Sequence, residues 1–365
     1  MSKTKRVFIA ATQQNDGKTT VSLGLIYCLK KMFARVGFIK PVGQRYLIEE
    51  GYKVDEDSIL IEHVCQMKCL LKDMSPIAVE RGFTEKYINN PKKAALVKEI
   101  KKSFECIAKV NDLVVIEGTG HAGVGSVFDL SNAYVAKQLD AKVILISSGG
   151  VGKPIDEILL NKALFDKEGV EIIGVIVNKV LPEKYAKVDE LVRKGFKRKG
   201  LAVLGVVPYE PVLSKPMMSQ IQEELRAEIV YGATYLDNAV EKIVIGAMEP
   251  HDALNYIDDK SLVITPGDRE DIILTAISMH LIYGDNGPSV AGLVLTGGIS
   301  PHPSVLNLIK CTDIPVLLVK EDTYNVASRV HDLTIKIRPQ DRTKTNLVID
   351  MINKYVDIDA IVKNL

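Results

Sequence analysis

Residues 7–20 read VFIAATQQNDGKTT, and this stretch decides the fold of the first part of the chain. A short apolar run leads into a polar turn, which ends in Gly17-Lys18-Thr19-Thr20 at the start of a helical pattern. This order predicts a β-strand, a phosphate-binding loop and an α-helix. Backbone N–H groups of such a turn, together with the helix N-terminus, attract phosphate oxygens.

The residue types in the turn suit a bound phosphate chain and Mg²⁺. Gly17 lets the main chain approach the phosphates, Lys18 brings a positive charge, and the Thr19 hydroxyl is a ligand for Mg²⁺. The usual motif has a glycine five residues before Gly17, where this chain has Thr12, preceded by Ala11. An ordinary strand-to-helix turn with a surface lysine is the alternative interpretation.

The bulk composition narrows the class of protein. A chain of 365 residues fits two domains of ordinary size. Its 47 basic and 46 acidic residues give a net charge of +1, so we expect neither nucleic acid nor a membrane as a partner. Five scattered cysteines are typical of reduced thiols in a cytoplasmic protein. The N-terminal apolar run is too short for a signal peptide, and no stretch approaches the roughly 18 apolar residues of a membrane span.

Short apolar runs alternate with helical patterns through residues 1–212, which we assign to a first domain. The pattern predicts an α/β fold of the P-loop type, with a mostly parallel sheet covered by helices on both faces. The predicted strands are Val7–Ala11, Val36–Lys40, Leu113–Ile116, Val143–Ser147, Ile172–Asn178 and Ala202–Val207. The predicted helices are Lys18–Lys31, Asp57–Leu71, Lys92–Ala108, Leu130–Leu139, Ile155–Lys167 and Pro182–Lys199.

Three prolines, Pro208, Pro211 and Pro216, indicate a junction, and we assign residues 213–365 to a second, smaller α/β domain. Its predicted strands are Ile243–Ala247, Leu262–Thr265, Gly292–Thr296 and Pro315–Val319. Its predicted helices are Asp271–Leu281, Pro303–Ile309, Asn325–Val330 and a closing helix at Arg342–Val356.

Polar side chains stand at the ends of three of the predicted strands in the first domain. Ligands of open α/β sheets bind outside the carboxyl ends of the strands, where Lys40, Glu117 and Asn178 are expected. Glu117 can hold Mg²⁺ directly or through water, with a turn cap as its alternative role. Lys40 can neutralise a transferring phosphoryl group, and the Asn178 carboxamide can pair with adenine.

Three acidic residues, Asp55, Glu56 and Asp57, follow Val54 at the start of a predicted helix. Because a helix N-terminus favours acids, N-capping is the simple interpretation for any of these three carboxylates. A second role for Asp57 as a metal ligand depends on the resemblance that follows.

Residues 1 to about 210 resemble dethiobiotin synthetase and its relatives, which include the cobyrinic acid a,c-diamide synthases. The resemblance runs through the GKTT turn, Lys40 in FIKPVGQ, Asp57 in DEDSIL, Glu117 in VVIEGTG and Asn178 in VIVNK. That family has one extra residue before GK[ST], so Ala11 takes the place of its first glycine.

The resemblance implies an ATP and Mg²⁺ site with named roles. Lys18 and Lys40 would act as catalytic residues that stabilise the transferring phosphate, and Thr19, Asp57 and Glu117 would organise Mg²⁺. Thr20 would contact a phosphate, and Asn178 would recognise adenine. The remaining nucleotide-binding positions implied are Ala11, Thr12, Asn15, Asp16 and Gly17.

The second domain resembles the DRTGG domain in two segments, Gly267-Asp268-Arg269 and Thr296-Gly297-Gly298. We expect Asp268, Arg269, Thr296, Gly297 and Gly298 to bind a ligand or to form an interface. Together the two domains resemble the N-terminal regulatory region of long bacterial phosphotransacetylases. The resemblance also implies a homodimer.

Two functions stay open at this point. One is a nucleotide- or metabolite-responsive regulatory protein that binds ATP, Mg²⁺ and an unknown small molecule. The alternative is an ATP-dependent carbon–nitrogen ligase, which would phosphorylate a carboxylate or carbamate of an unknown substrate.

Overall fold

The computed structural model describes residues 4–283, 290–333 and 335–365, which divide into two compact units. The first unit contains the chain up to Glu210 together with Ile337–Leu365, and the second contains Pro211–Lys336. Each unit has one main β-sheet with a buried apolar core.

The first unit has ten strands among its described residues, and six of them correspond to the predicted apolar runs. The ten strands are β1 (Lys5–Ala11), β2 (Val36–Ile39), β3 (Val42–Gly43), β4 (Tyr46–Glu49), β5 (Tyr52–Asp55), β6 (Ile77–Ala78), β7 (Leu113–Glu117), β8 (Lys142–Ser148), β9 (Ile172–Val180) and β10 (Val203–Pro208). Six of them form a sheet in the order β10-β9-β8-β1-β7-β2, and every neighbouring pair is parallel. The predicted α/β class with a parallel central sheet is confirmed.

The helices that precede the second unit are α1 (Lys18–Leu29), α2 (Glu56–Cys65), α3 (Leu71–Met74), α4 (Phe83–Asn89), α5 (Lys93–Ala108), α6 (Asn132–Gln138), α7 (Gly152–Glu168) and α8 (Tyr185–Lys197). Among the described residues, no helix combines the length and the hydropathy needed to cross a bilayer.

The order of the strands sets the position of the candidate site. β1 lies between β7 and β8. The chain continues from β1 to β2 on one side of the sheet and from β7 to β8 on the other, so these connections run in opposite directions. A crevice for ligands forms at such a switch point, outside the carboxyl ends of the strands. The loop at residues 12–17, between β1 and α1, and the last residue of β7, Glu117, both lie at this edge.

One local prediction for the first unit is wrong, and two strand pairs were missed. The helix predicted over Asp57–Leu71 is broken, because Gln66 adopts a left-handed conformation with φ 48° and ends α2. The β4–β5 hairpin and the β3–β6 pair were not predicted.

The second unit contains β11 (Glu228–Tyr231), β12 (Lys242–Ile245), β13 (Ser261–Pro266), β14 (Gly292–Thr296) and β15 (Val316–Leu318). Its helices are α9 (Met218–Leu225), α10 (Pro250–Ala253), α11 (Glu270–Tyr283), α12 (Pro303–Ile309) and α13 (Thr323–His331). The sheet order is β11-β15-β14-β13-β12, parallel except for β11, which is antiparallel to β15. The four predicted strands correspond to β12–β15, whereas β11 was not predicted.

The chain then returns to the first unit, which corrects the predicted boundary of the second domain at residue 365. Helices α14 (Arg342–Tyr355) and α15 (Ile358–Asn364) belong to the first unit. Gly24 of α1 lies against Ile352 of α14, and the Asp357 N–H donates to the Leu204 carbonyl at the end of the sheet, at 2.7 Å. These helices cover apolar surface of α1, which the sheet alone does not cover.

Candidate functional site

The 12–17 loop has the tight backbone that its sequence predicts. Gly17 has φ 93°, and a Cβ atom at this position would collide with the Asn178 carboxamide. Asn15 is also left-handed, with φ 65°. Ala11 is fully buried at the end of β1 and needs no left-handed backbone, so its methyl group fits where the family has glycine.

Asp16 folds the loop back on itself. Its Oδ2 accepts a hydrogen bond of 2.7 Å from the Gln13 N–H and lies 2.8 Å from the Thr12 hydroxyl. The Thr12 N–H donates to Ile146 of β8 at 2.8 Å, which continues the β1–β8 pairing by one residue. These hydrogen bonds give the loop a defined shape.

Lys18 is the first residue of α1, and its side chain is buried at the same edge. Its Nζ lies 3.5 Å from the Gln13 carbonyl. Burial lowers the pKa of Lys18 below its usual value, while the negative charge of Glu117 acts in the opposite direction. Thr20 lies in the same helical turn and is partly exposed.

Thr19 and Glu117 connect α1 to β7. The Thr19 hydroxyl donates to Glu117 Oε1 at 3.0 Å. Glu117 is 1% exposed, and its other oxygen, Oε2, is buried without a hydrogen-bond partner. The Ser22 hydroxyl lies close enough to favour the charged form of Glu117, but it makes no well-aligned hydrogen bond. Burial raises the pKa of Glu117, with Lys40 acting in the opposite direction.

Lys40 follows β2 and is surrounded by the carboxylate cluster, a name we give to Asp55, Asp57 and Glu117. Its Nζ lies 2.9 Å from Asp55 Oδ1 and 3.6 Å from Glu117 Oε1, and it also pairs with Asp57. Burial alone would lower the pKa of Lys40, but the charges of Asp57, Glu117 and Asp55 outweigh it and raise the pKa above its usual value. The ammonium is therefore charged.

Asp55 has the N-capping role that the sequence suggested, but its contact with Lys40 was not predicted. It caps α2 by accepting a hydrogen bond from the Asp57 N–H at 3.0 Å, and its second oxygen accepts from the Gln44 N–H at 3.2 Å. N-capping therefore belongs to Asp55, which leaves the Asp57 carboxylate directed at Lys40. A sequence signal existed, because Asp55 precedes the first residue of α2.

Asn178, near the end of β9, supports the 12–17 loop. Its Nδ2 donates to the Asp16 carbonyl at 2.9 Å. The next residue, Lys179, donates from Nζ to the Asn15 carbonyl at 2.7 Å. Since a carboxamide nitrogen carries two hydrogens, Nδ2 can still donate to one further acceptor.

Helix α7 contributes two further residues that sequence reasoning missed. Glu157 Oε1 accepts from Gln13 Nε2 at 2.6 Å, and Asn161 Oδ1 accepts from the Ala122 N–H at 2.8 Å. Asn161 also donates to the Thr12 carbonyl at 3.5 Å, and so joins the 12–17 loop to the loop after Glu117. Their spacing of four residues on one helix face was the available signal.

A magnesium ion fits the donor set of Thr19, Asp57 and Glu117. Hydroxyl and carboxylate oxygens are the ligands that Mg²⁺ prefers, and the unpartnered Glu117 Oε2 offers a buried acceptor. Among the residues that the structure describes, no group of three or more His, Cys, Asp or Glu side chains is arranged to hold a metal ion. Phosphate oxygens and water would therefore have to complete the coordination.

The predicted DRTGG residues meet at the carboxyl ends of β13 and β14. Gly297 and Gly298 form a left-handed turn, with φ 79° and 67°. The Thr296 hydroxyl lies 2.7 Å from that of Thr323. Arg269 donates to the Met248 carbonyl at 2.8 Å and pairs with Asp271.

These two DRTGG segments also contact each other. Gly267 donates its N–H to the Thr296 carbonyl at 3.2 Å, and a Cβ atom on Gly267 would collide with the Ile299 carbonyl. Asp268 is exposed beside this contact. The contacts explain a structural need for glycine here.

Comparison with known families agrees with this geometry. Residues 5–217 match the AAA_26 family, described as an AAA domain. The chain belongs to the AAA_26 family. Residues 220–333 of this AAA_26 protein match the DRTGG domain. The predicted combination of a P-loop domain with a DRTGG domain is confirmed, and the DRTGG match ends before the chain returns to the first unit at Ile337.

Two phosphate acetyltransferases are similar to this AAA_26 chain over nearly all of its length. The phosphate acetyltransferase of Nitratidesulfovibrio vulgaris is 29% identical over 362 residues, which cover 96% of this chain and 50% of that protein. The phosphate acetyltransferase of Synechocystis is 26% identical over 370 residues, with 99% and 52% covered. The chain spans about half the length of the curated relatives that it matches.

A plasmid partition protein of Borrelia burgdorferi bound to AMPPNP is similar over 57% of this AAA_26 chain and 88% of its own, at 14% identity and a TM-score of 0.39.

Proposed function

We propose that the AAA_26 unit binds ATP with Mg²⁺, and that this binding serves a nucleotide- or metabolite-responsive regulatory role. The observation that carries the proposal is the hydrogen bond between Thr19 and Glu117, with Lys18, Lys40 and Asp57 gathered around it. It brings a phosphate-loop helix and an acidic strand end to one edge of the sheet, as a metal-bound phosphate chain requires.

Each residue has a role that its position supports. Lys18 and the N–H groups of the 12–17 loop would hold the phosphates, with Thr20 beside them. Thr19, Asp57 and Glu117 would hold Mg²⁺, which neutralises phosphate charge when it is bound. Asn178 would support the loop through Asp16 and offer its remaining donor to adenine.

The loop after Glu117 supports a regulatory role over the ligase alternative. Asn132 donates from Nδ2 to the carbonyls of Thr119 and His121, at 2.7 Å each, and Asn161 accepts from the Ala122 N–H. Three backbone groups of this loop are thus bonded to side chains of the same unit, which leaves them less available to an acceptor substrate.

The second unit would bind an unknown small molecule, or form an interface, at Asp268, Arg269, Thr296, Gly297 and Gly298. The homodimer implied by the family resemblance belongs to the same proposal. Sedimentation equilibrium of the purified chain, with and without ATP, tests the homodimer.

Calorimetric titration with Mg-ATP tests nucleotide binding. We expect the wild type to bind and Lys18→Ala to bind about a hundredfold more weakly, because a buried ammonium at the phosphates is removed. Lys194→Ala is the control, because Lys194 is an exposed lysine that pairs with Glu190 on α8. Unchanged affinity in Lys18→Ala would contradict the assignment of the loop.

Phosphate release separates the two functions. We expect tight binding with negligible release, whether or not amines and bicarbonate are added. Release that appears only when an amine and bicarbonate are both present would favour the ligase instead.

A further inference from the structure

The position of Lys40 has a consequence for metal binding. Its side chain is 5% exposed, and its ammonium lies among the carboxylates of Asp55, Asp57 and Glu117. Two of these, Asp57 and Glu117, are the carboxylates that we assign to Mg²⁺. The ammonium and the metal ion therefore use the same ligands.

The Lys40 ammonium and a divalent metal ion cannot easily occupy the carboxylate cluster together, because both are positively charged. Three buried carboxylates without a cation would be strongly destabilising, so the ligand-free protein needs Lys40 in place. An ammonium and a divalent ion at neighbouring positions in a low-dielectric interior repel each other strongly, because little solvent screens the two charges.

A second observation indicates that the cluster is incomplete with Lys40 alone. Glu117 Oε1 receives both the Thr19 hydroxyl and the distant contact from Lys40, at 3.0 and 3.6 Å. Oε2 of the same carboxylate is buried and has no hydrogen-bond partner. Glu117 Oε2 is therefore a buried acceptor that Lys40 does not satisfy and that a bound cation could use.

We propose that Lys40 is an internal counter-cation that keeps divalent metal out of the carboxylate cluster until the phosphates of a bound nucleotide draw its ammonium away. The proposal rests on the proposed function, because it takes nucleotide phosphates as the displacing group. It adds an order of events, in which metal binding to the protein requires nucleotide. It also explains how one lysine both compensates buried acids and reaches a phosphate.

The test uses Mn²⁺ alone, with free Mn²⁺ measured by electron paramagnetic resonance in the absence of nucleotide. We expect Lys40→Met to bind Mn²⁺ about tenfold or more tightly than the wild type, because the cluster keeps its charge and loses its cation. Lys142→Met is the matched control. It removes the same charge at the opposite edge of the sheet, where Lys142 pairs with Glu171, and should match the wild type.

A second variant covers the case in which Lys40→Met does not fold. Lys40→Met with Asp55→Asn removes one uncompensated carboxylate and retains Asp57 and Glu117. We expect it to bind Mn²⁺ more tightly than the wild type as well. Equal Mn²⁺ affinity in the wild type and in whichever of these variants folds would overturn the proposal.

Failure of this proposal is distinguishable from failure of the proposed function. The Mn²⁺ comparison contains no nucleotide, so it decides the role of Lys40 even if ATP does not bind. Conversely, ATP binding by the wild type with unchanged Mn²⁺ affinity in Lys40→Met would support the nucleotide site and reject the counter-cation.

Discussion

The Asn178 carboxamide donates a hydrogen bond of 2.9 Å to the Asp16 carbonyl, so the end of β9 holds the 12–17 loop in place. This bond is buried and joins residues 162 positions apart in the chain. Asn178 is therefore part of the support of the loop, in addition to any contact with a base.

Removal of this bond should weaken binding of the phosphates themselves. We expect Asn178→Ala to lower the affinity for ATP and for inorganic triphosphate alike, by about tenfold, because one buried hydrogen bond to the loop is lost. Isothermal titration with the two ligands measures both effects. Asn89→Ala, which removes an exposed carboxamide bonded to Glu85, is the control. Weaker ATP binding with unchanged triphosphate binding would instead assign Asn178 to adenine alone.

Gly17 should tolerate no side chain. In Gly17→Ala the methyl group would meet the Asn178 carboxamide, and φ 93° would cost about 1–2 kcal/mol for a residue other than glycine. We expect Mg-ATP affinity to fall about tenfold or more in calorimetric titration. Gly152→Ala places a methyl group in open space at the start of α7 and should bind like the wild type. Equal affinity in both variants would show that the loop does not contact the ligand.

Gly24 and Ile352 should be energetically coupled. A Cβ atom on Gly24 would lie 2.6 Å from Ile352 Cβ, so Gly24→Ala should destabilise the first unit by about 1–3 kcal/mol through overpacking. Ile352→Ala should cost about 2–4 kcal/mol through a cavity, since Ile352 is almost fully buried.

The double variant tests the contact directly. We expect it to lose at least about 0.5 kcal/mol less than the sum of the single variants, because the added methyl group partly fills the cavity. Urea unfolding followed by hydrogen exchange in peptides from α1 measures the first unit separately. Simple additivity would show that α14 does not pack on α1 in solution.

The cysteines should differ in their reaction with iodoacetamide near pH 8. Burial raises the pKa of Cys65 to about 11, so only about one thiol in a thousand is ionised there, and thiolate is the reactive form. Cys106 and Cys311 are exposed. We expect mass spectrometry to find these two alkylated first and Cys65 protected until urea unfolds the protein. Early alkylation of Cys65 would contradict its burial.

The parallel strands could be predicted because each is a nearly continuous apolar run, as in Val7–Ala11 and Leu113–Glu117. The β4–β5 hairpin was missed, although Glu50-Gly51 between its strands adopts the left-handed conformations that a two-residue hairpin turn requires. β11 was missed because it is short and incompletely buried.

The positions of Lys40 and Glu117 at one edge of the sheet were predictable, because each polar residue stands at the end of a buried apolar run. The pairing of Lys40 with Asp55 was not predictable. It depends on the capping of α2 and on how close the chain after β2 comes to the end of β5. The contact between Gly24 and Ile352 has no local signature. One indirect signal was that α1 is apolar on almost every side, which predicts a covering element beyond the sheet.

The return of α14 to the first unit also affects the order in which the two units can fold during synthesis on the ribosome. α1, which begins at Lys18, keeps apolar surface uncovered until the residues around Ile352 have emerged from the exit tunnel. The second unit, which is contiguous in the chain, can complete its fold earlier. A nascent chain would thus complete its first unit last, although most of that unit is synthesised before the second.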